Sequence, residues 1–130
     1  MVPVPMPPSE VVDRLTILDL KVARAAGPAA AAARAWRAAL RAAWQGAALP
    51  GVETLEEHAA LAKINAALWD VEDRLRAREA AGDFGEDFVQ DARRVYVLND
   101  ARAANKAALD ARLGEKVTDL KSYSTNTDSP

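Results

Sequence analysis

The sequence predicts a small all-α protein, a bundle of about four helices. Two observations predict it. Apolar residues recur at intervals of three and four along most of the 130-residue chain, the spacing of one helix face. Proline and glycine divide the chain into four such segments, and no segment shows a convincing strand pattern. Half of the residues are apolar and 28% are charged, which is typical of a folded globular domain.

Proline and glycine set the bounds of the first two predicted helices. Four prolines among the first eight residues keep the start of the chain extended. Ser9 is the expected N-cap of a helix over 10–26, which Gly27 ends. Pro28 fits the first turn of a second helix over 28–45.

The third and fourth predicted helices are long and form an antiparallel hairpin. Thr54 and Glu57 match a capping box and start a helix that runs to about residue 81. The glycine-containing segment 82–85 turns the chain, and a fourth helix follows over 86–113. A connection this short makes the two helices antiparallel neighbours.

Residues 1–121 are expected to form a single helical domain, and the Ser/Thr/Asn/Asp-rich residues 122–130 a flexible tail. The helical stripes predict a set of largely buried residues. These are Trp36, Leu68, Val71, Val95 and Leu109. The first helix is apolar nearly all round, so it is either central in the bundle or part of a dimer interface. We expect a homodimer that buries part of this helix.

Bulk composition excludes several classes of function. The formal net charge is −2 without a basic stripe, so nucleic acid is not an expected partner. No stretch approaches the ~20 apolar residues of a membrane span, and the start of the chain has no signal-peptide pattern. The chain has no cysteine, one histidine and no glycine-rich phosphate loop, so we expect no metal and no cofactor. A cytoplasmic location is the resulting expectation.

Polar side chains interrupt the packing face of the fourth helix. Its stripe carries Asn99, Arg102 and Lys106 between apolar ends, and Tyr96 lies close to the same face. A buried charge destabilises a protein unless it is paired and hydrogen-bonded. We therefore expect partners on the neighbouring helices, with Glu72 facing Arg102 or Lys106.

The first helix also carries polar residues. Arg14 and Lys21 lie beside its Val/Leu face, and Asp13 and Asp19 lie further round. On the third helix, Asn65, Trp69, Glu72 and Arg76 share one flank. Packing of the first, third and fourth helices would bring these residues together with the polar stripe of the fourth.

Two hypotheses for this polar cluster stay open. In the first it is a site for an anionic or sugar-like small molecule, with Glu72, Tyr96 and Lys106 as catalytic groups for cofactor-free proton transfer of the isomerase or lyase type. The ligand-binding residues would be Lys21, Asn65, Trp69, Arg76, Asn99 and Arg102. In the second the cluster is a structural ion-pair network. The protein would then be a non-catalytic partner or scaffold for a biosynthetic enzyme.

Five segments together resemble a bacterial family of small helical proteins, the domain of unknown function numbered sixty-one sixty-five. They are SEVVDRLTILDLK (9–21), NAALWDVEDRLR (65–76), GDFG (82–85), VYVLNDARAANK (95–106) and EKVTDLKSY (115–123). The resemblance implies an all-helical fold encoded near glycosyltransferase and surface-polysaccharide genes, hence a role in glycan or secondary metabolism. The family motif positions correspond to Asp13, Lys21, Asn65, Trp69, Glu72, Arg76, Tyr96, Asn99, Asp100, Lys106 and Tyr123.

Overall fold

The structure, a computed structural model, describes residues 2–114. Its elements in chain order are α1 (Pro8–Arg24), α2 (Gly27–Gly46), a short 3-10 helix (Val52–Thr54), α3 (Glu56–Ala81) and α4 (Glu86–Arg112). No strand occurs in this range. The all-α prediction and the α3–α4 hairpin are confirmed. The flexible tail predicted for 122–130, Tyr123 and the end of the predicted domain lie outside the described residues.

The helix starts differ from the predicted caps. Ser9 is not the N-cap of α1, because Pro7 holds that position and Ser9 lies in the first turn. Thr54 is not the N-cap of α3, because its hydroxyl donates to the Gly51 carbonyl, 2.6 Å away, within the 3-10 helix. Gly27 does not end the first helix but begins α2. At the start of α1, the Asp110 carboxylate of α4 takes the place of a local cap, whereas at the start of α3 the helix's own Glu57 is bound by Arg112 of α4.

The turn between α3 and α4 lies where the glycines predict it. Gly82 ends α3 with φ of 67°, a left-handed conformation that glycine adopts without strain. The Asp83 N–H donates to the Arg78 carbonyl at 2.8 Å, which satisfies a carbonyl at the helix end. The Gly85 N–H donates to the Asp83 carboxylate at 3.2 Å. These bonds reverse the chain and align α4 antiparallel to α3.

The helix α1 is the central element, since it packs against α2, α3 and α4. Val12 and Leu15 are fully buried on it. Its apolar positions on several sides therefore pack within one chain. Of the two alternatives left open by the sequence, the first helix is central in the bundle. The homodimer itself remains a prediction.

No helix among residues 2–114 has the length and hydropathy of a membrane span.

Most of the predicted core is confirmed. Leu68, Val71 and Leu109 are buried, and Val95 is half-buried. Trp36 is the exception, with 41% of its surface exposed. The other tryptophan of α2, Trp44, enters the core instead and donates its indole N–H to the Pro50 carbonyl at 2.8 Å. Trp36 lies two turns earlier, on a rim between α2 and the extended start of the chain.

Candidate functional site

The structure divides the predicted site residues into two groups. Asn65, Arg102 and Lys106 meet around Asp13 of α1. Most of the others are exposed, namely Lys21, Glu72, Arg76, Tyr96 and Asn99. Trp69 is half-buried beneath the guanidinium of Arg24, whose Cζ lies 5.6 Å from the ring centroid. The predicted cluster is therefore not assembled as one pocket around Glu72.

Asp13 is the residue on which α1, α3 and α4 converge. Its side chain is 3% exposed and accepts a two-bond fork from Arg102, with Nε 2.9 Å from Oδ1 and Nη2 2.6 Å from Oδ2. The Asn65 amide donates to the same carboxylate at 2.9 Å and to the Thr16 hydroxyl at 2.8 Å. Thr16 in turn donates to the Asp13 carbonyl at 2.7 Å. Both carboxylate oxygens are thus engaged.

Glu10 takes the place predicted for Glu72 as the partner of Lys106. The Lys106 ammonium lies 2.6 Å from the Glu10 carboxylate and 3.9 Å from that of Asp13. The expectation that Glu72 faces Arg102 or Lys106 in an ion pair is wrong, because Glu72 is exposed and Asp13 and Glu10 are nearer. Glu72 acts on Arg102 only through its charge, as the weakest of the effects that raise the pKa of Arg102.

Electrostatics keep Asp13 ionised. Burial raises the pKa of the carboxyl, but hydrogen bonds from Arg102 and Asn65 outweigh that effect. The positive charges of Arg102 and Lys106 lower the pKa further, so the pKa of Asp13 lies below its usual range. A ligand that bound Arg102 here would have to displace a buried carboxylate. This geometry favours the structural interpretation for Asn65, Arg102 and Lys106.

The role of Asp13 is hard to predict from the sequence because this residue lies away from the Val/Leu face of α1. A signal was nevertheless present. On a helix that is apolar nearly all round, Asp13 and Thr16 lie one turn apart on one side. Because such a helix is buried on several sides, polar residues on any of them need buried partners.

A groove between the extended start of the chain, α1 and α2 offers a different candidate site. Its volume is about 760 Å³. The lining residues are Val2, Pro3, Val4, Met6, Arg14, Trp36, Ala39, Leu40 and Ala43. We call it the N-terminal groove. Arg14 is the one charged residue in this lining, and all the others are apolar.

Arg14 has an unusual environment within residues 2–114. Its guanidinium stacks over Trp36, with Cζ 5.9 Å from the ring centroid, and its Nε is buried without a hydrogen-bond partner. Four other arginines in this range are half-buried, and each has a carboxylate within 4 Å. They are Arg37, Arg41, Arg78 and Arg102. Arg14 has none in the described part of the chain.

Comparison with known proteins adds no assignment. No protein-family model, no curated protein and no solved structure matches the chain. The resemblance to the domain-of-unknown-function family therefore remains a prediction. Among residues 2–114, no group of His, Cys, Asp and Glu side chains could hold a metal ion.

Proposed function

We propose that this protein is a non-catalytic binding protein for an amphipathic anion, a carboxylate carried on an apolar body, which lies in the N-terminal groove. The observation that carries the proposal is Arg14. It is a half-buried cation that faces an apolar groove with no carboxylate partner in residues 2–114. The anionic ligand expected from the sequence is retained, but at a different place in the fold.

The shape and chemistry of the groove fit such a ligand. Sites for small molecules have volumes of roughly 300–1,000 Å³ and mostly apolar linings, with a few polar groups that fix orientation. Met6, Trp36 and Leu40 would contact the apolar body, and the guanidinium of Arg14 would bind the head group. Arg offers paired N–H donors that match a carboxylate, and no carboxylate of residues 2–114 occupies those of Arg14.

Binding is favoured over proton transfer by the surroundings of the three residues predicted to be catalytic. The Lys106 ammonium is paired with the Glu10 carboxylate and is therefore already engaged within the protein. Tyr96 is 60% exposed, and Glu72 is exposed as well, which leaves both in contact with water. A cytoplasmic setting and a role in glycan or secondary metabolism are kept as parts of the proposal, from the composition and the family resemblance respectively.

Calorimetric titration with decanoate and with decan-1-ol tests the proposal, because the two ligands differ in the head group alone. The wild-type protein should bind decanoate more tightly than the alcohol. Arg14→Gln should weaken decanoate binding about tenfold or more, the loss expected for a charge-assisted hydrogen bond. The same change should leave binding of the alcohol nearly unaltered.

Arg34→Gln is the matched control, since Arg34 is an exposed arginine of α2 outside the groove lining. It should bind both ligands as the wild type does. Absence of decanoate binding to the wild type would contradict the proposal. Equal losses in Arg14→Gln and Arg34→Gln would contradict it too, since they would indicate a general effect of net charge.

A further inference from the structure

The side of α4 that points away from α1 and α3 is exposed and largely apolar. Its residues lie on one side of the helix at 100° per residue. They are Glu86, Val89, Gln90, Ala92, Arg93, Tyr96, Val97, Asp100, Ala103, Ala104, Ala107, Ala108 and Ala111, all of them exposed. We call this surface the outer face of α4. Tyr96 and Val97 lie midway along this face and are 60% and 55% exposed, and Val97 also borders a groove against α3. Exposed apolar side chains grouped on one face are typical of an interaction surface.

Two charged residues of opposite sign lie on either side of the middle of the outer face, and Glu86 lies at its start. Arg93 and Asp100 are seven residues apart, two helical turns or roughly 10 Å along the helix axis. Every ion pair found in residues 2–114 involves other residues, so neither charge is neutralised within the described chain. Tyr96 and Val97 occupy the centre between them.

This arrangement is self-complementary. A two-fold axis that passes between Tyr96 and Val97 runs a second α4 antiparallel to the first. Because residues 93 and 100 are equally far from that point, Arg93 then lies opposite the partner's Asp100, and the pair occurs twice. Val89 is likewise placed opposite the partner's Ala104. A surface whose own residues complement each other about a two-fold axis is what an isologous dimer requires.

We propose that the protein forms a homodimer through the outer faces of α4, packed antiparallel with two Arg93–Asp100 pairs across the interface. The alanines of this face permit close approach of the two helix axes, and Tyr96 and Val97 bury their apolar surface at the centre. The interface differs from the one expected on the first helix, because α1 uses its apolar positions inside the monomer.

Charge reversal with sedimentation equilibrium tests the proposal on the full chain. The wild type should sediment as a dimer with twice the 13.9 kDa mass of one chain. Arg93→Glu and Asp100→Arg should each weaken dimerisation about tenfold or more, because each places like charges opposite one another. The double variant should restore the wild-type dimer, and Arg34→Glu, the same charge change on α2, should leave it unaltered.

A disulfide provides a second readout, since the chain has no cysteine of its own. Residue 97 lies beside the proposed axis. The Val97→Cys variant should therefore form a covalent dimer under mild oxidation much faster than the Arg34→Cys variant. A monomeric mass for the wild type at all concentrations would overturn the proposal and leave the outer face to a different protein. A dimer that survives both single reversals, or equal rates for the two cysteine variants, would also overturn it.

Discussion

Asp13 joins three helices through one carboxylate. Its fork with Arg102 ties α1 to α4, and its bond from Asn65 ties α1 to α3. A buried ion pair adds little stability relative to apolar residues of similar shape, but removal of one partner is costly because the other charge is left buried. The pair therefore fixes how α1 sits on the hairpin more than it drives folding.

Arg102→Met should lower the free energy of unfolding by about 3 kcal/mol, because it leaves the buried Asp13 carboxylate without its arginine partner. This value is the lower end of the cost of a broken buried pair, since the Lys106 ammonium remains 3.9 Å from Asp13. Urea unfolding measures the change. Adding Asp13→Asn should recover part of the loss, because the unpaired charge is then gone. Arg76→Met is the control, since Arg76 and its neighbour Asp73 are both exposed and the change should stay within about 0.5 kcal/mol. Strict additivity of the two changes at 102 and 13 would contradict this account.

The helix starts depend on contacts between elements. Asp110 of α4 acts as the cap of α1, because its carboxylate accepts the Ser9 N–H at 2.9 Å and the Ser9 hydroxyl at 2.6 Å. Glu57, in the first turn of α3, is likewise held by Arg112 near the end of α4. A negative charge at a helix N-terminus also stabilises the helix dipole. The end of α4 therefore fixes the start of both α1 and α3.

Asp110→Ala should destabilise the protein by about 1 kcal/mol, the typical cost for loss of a helix cap. Ser9→Ala should cost less, because the Ser9 N–H keeps its acceptor on Asp110. Hydrogen exchange should rise in the first turn of α1 in Asp110→Ala and stay low in the middle of that helix. Asp83→Ala is the comparison, because Asp83 is an exposed carboxylate that accepts the Gly85 N–H in the hairpin turn, and the change should leave exchange in α1 unchanged. Uniform acceleration along α1 would contradict a capping role.

At the scale of the whole molecule, the sequence predicts what depends on local pattern. Helix existence and the turn at Gly82 follow from residue spacing and from glycine conformation, and both are confirmed. The environments of Trp36 and Asp13 could not be predicted, because a helical wheel shows which residues share a side but not which helix covers it. The predicted N-cap of α1 is wrong for the same reason, since Ser9 and the Asp110 carboxylate that binds it are 101 residues apart in the sequence.

The response of the whole protein to acid follows from its carboxylates. The pKa values of Asp13, Glu53, Glu57 and Asp91 all lie below their usual range. For Glu53, Glu57 and Asp91 the main cause is a hydrogen bond from an arginine, and for Asp13 such bonds outweigh the opposing effect of burial. In the unfolded chain these groups return to ordinary pKa values of about 4. The unfolded state therefore binds more protons than the folded state at low pH, and acid must destabilise the fold.

The free energy of unfolding should therefore be level above about pH 5 and fall as the pH drops below about 4 through the lowered pKa values of the folded state. Urea unfolding at a series of pH values between neutrality and pH 3 measures this profile. The Asp13→Asn variant isolates one contribution. Its deficit relative to the wild type should be constant above about pH 5 and shrink below about pH 4, where Asp13 takes up a proton in the unfolded wild-type chain before it does so in the folded protein. A deficit that does not change with pH would show that the charge of Asp13 adds nothing to stability, and that shape and hydrogen bonding alone hold α1 on the hairpin.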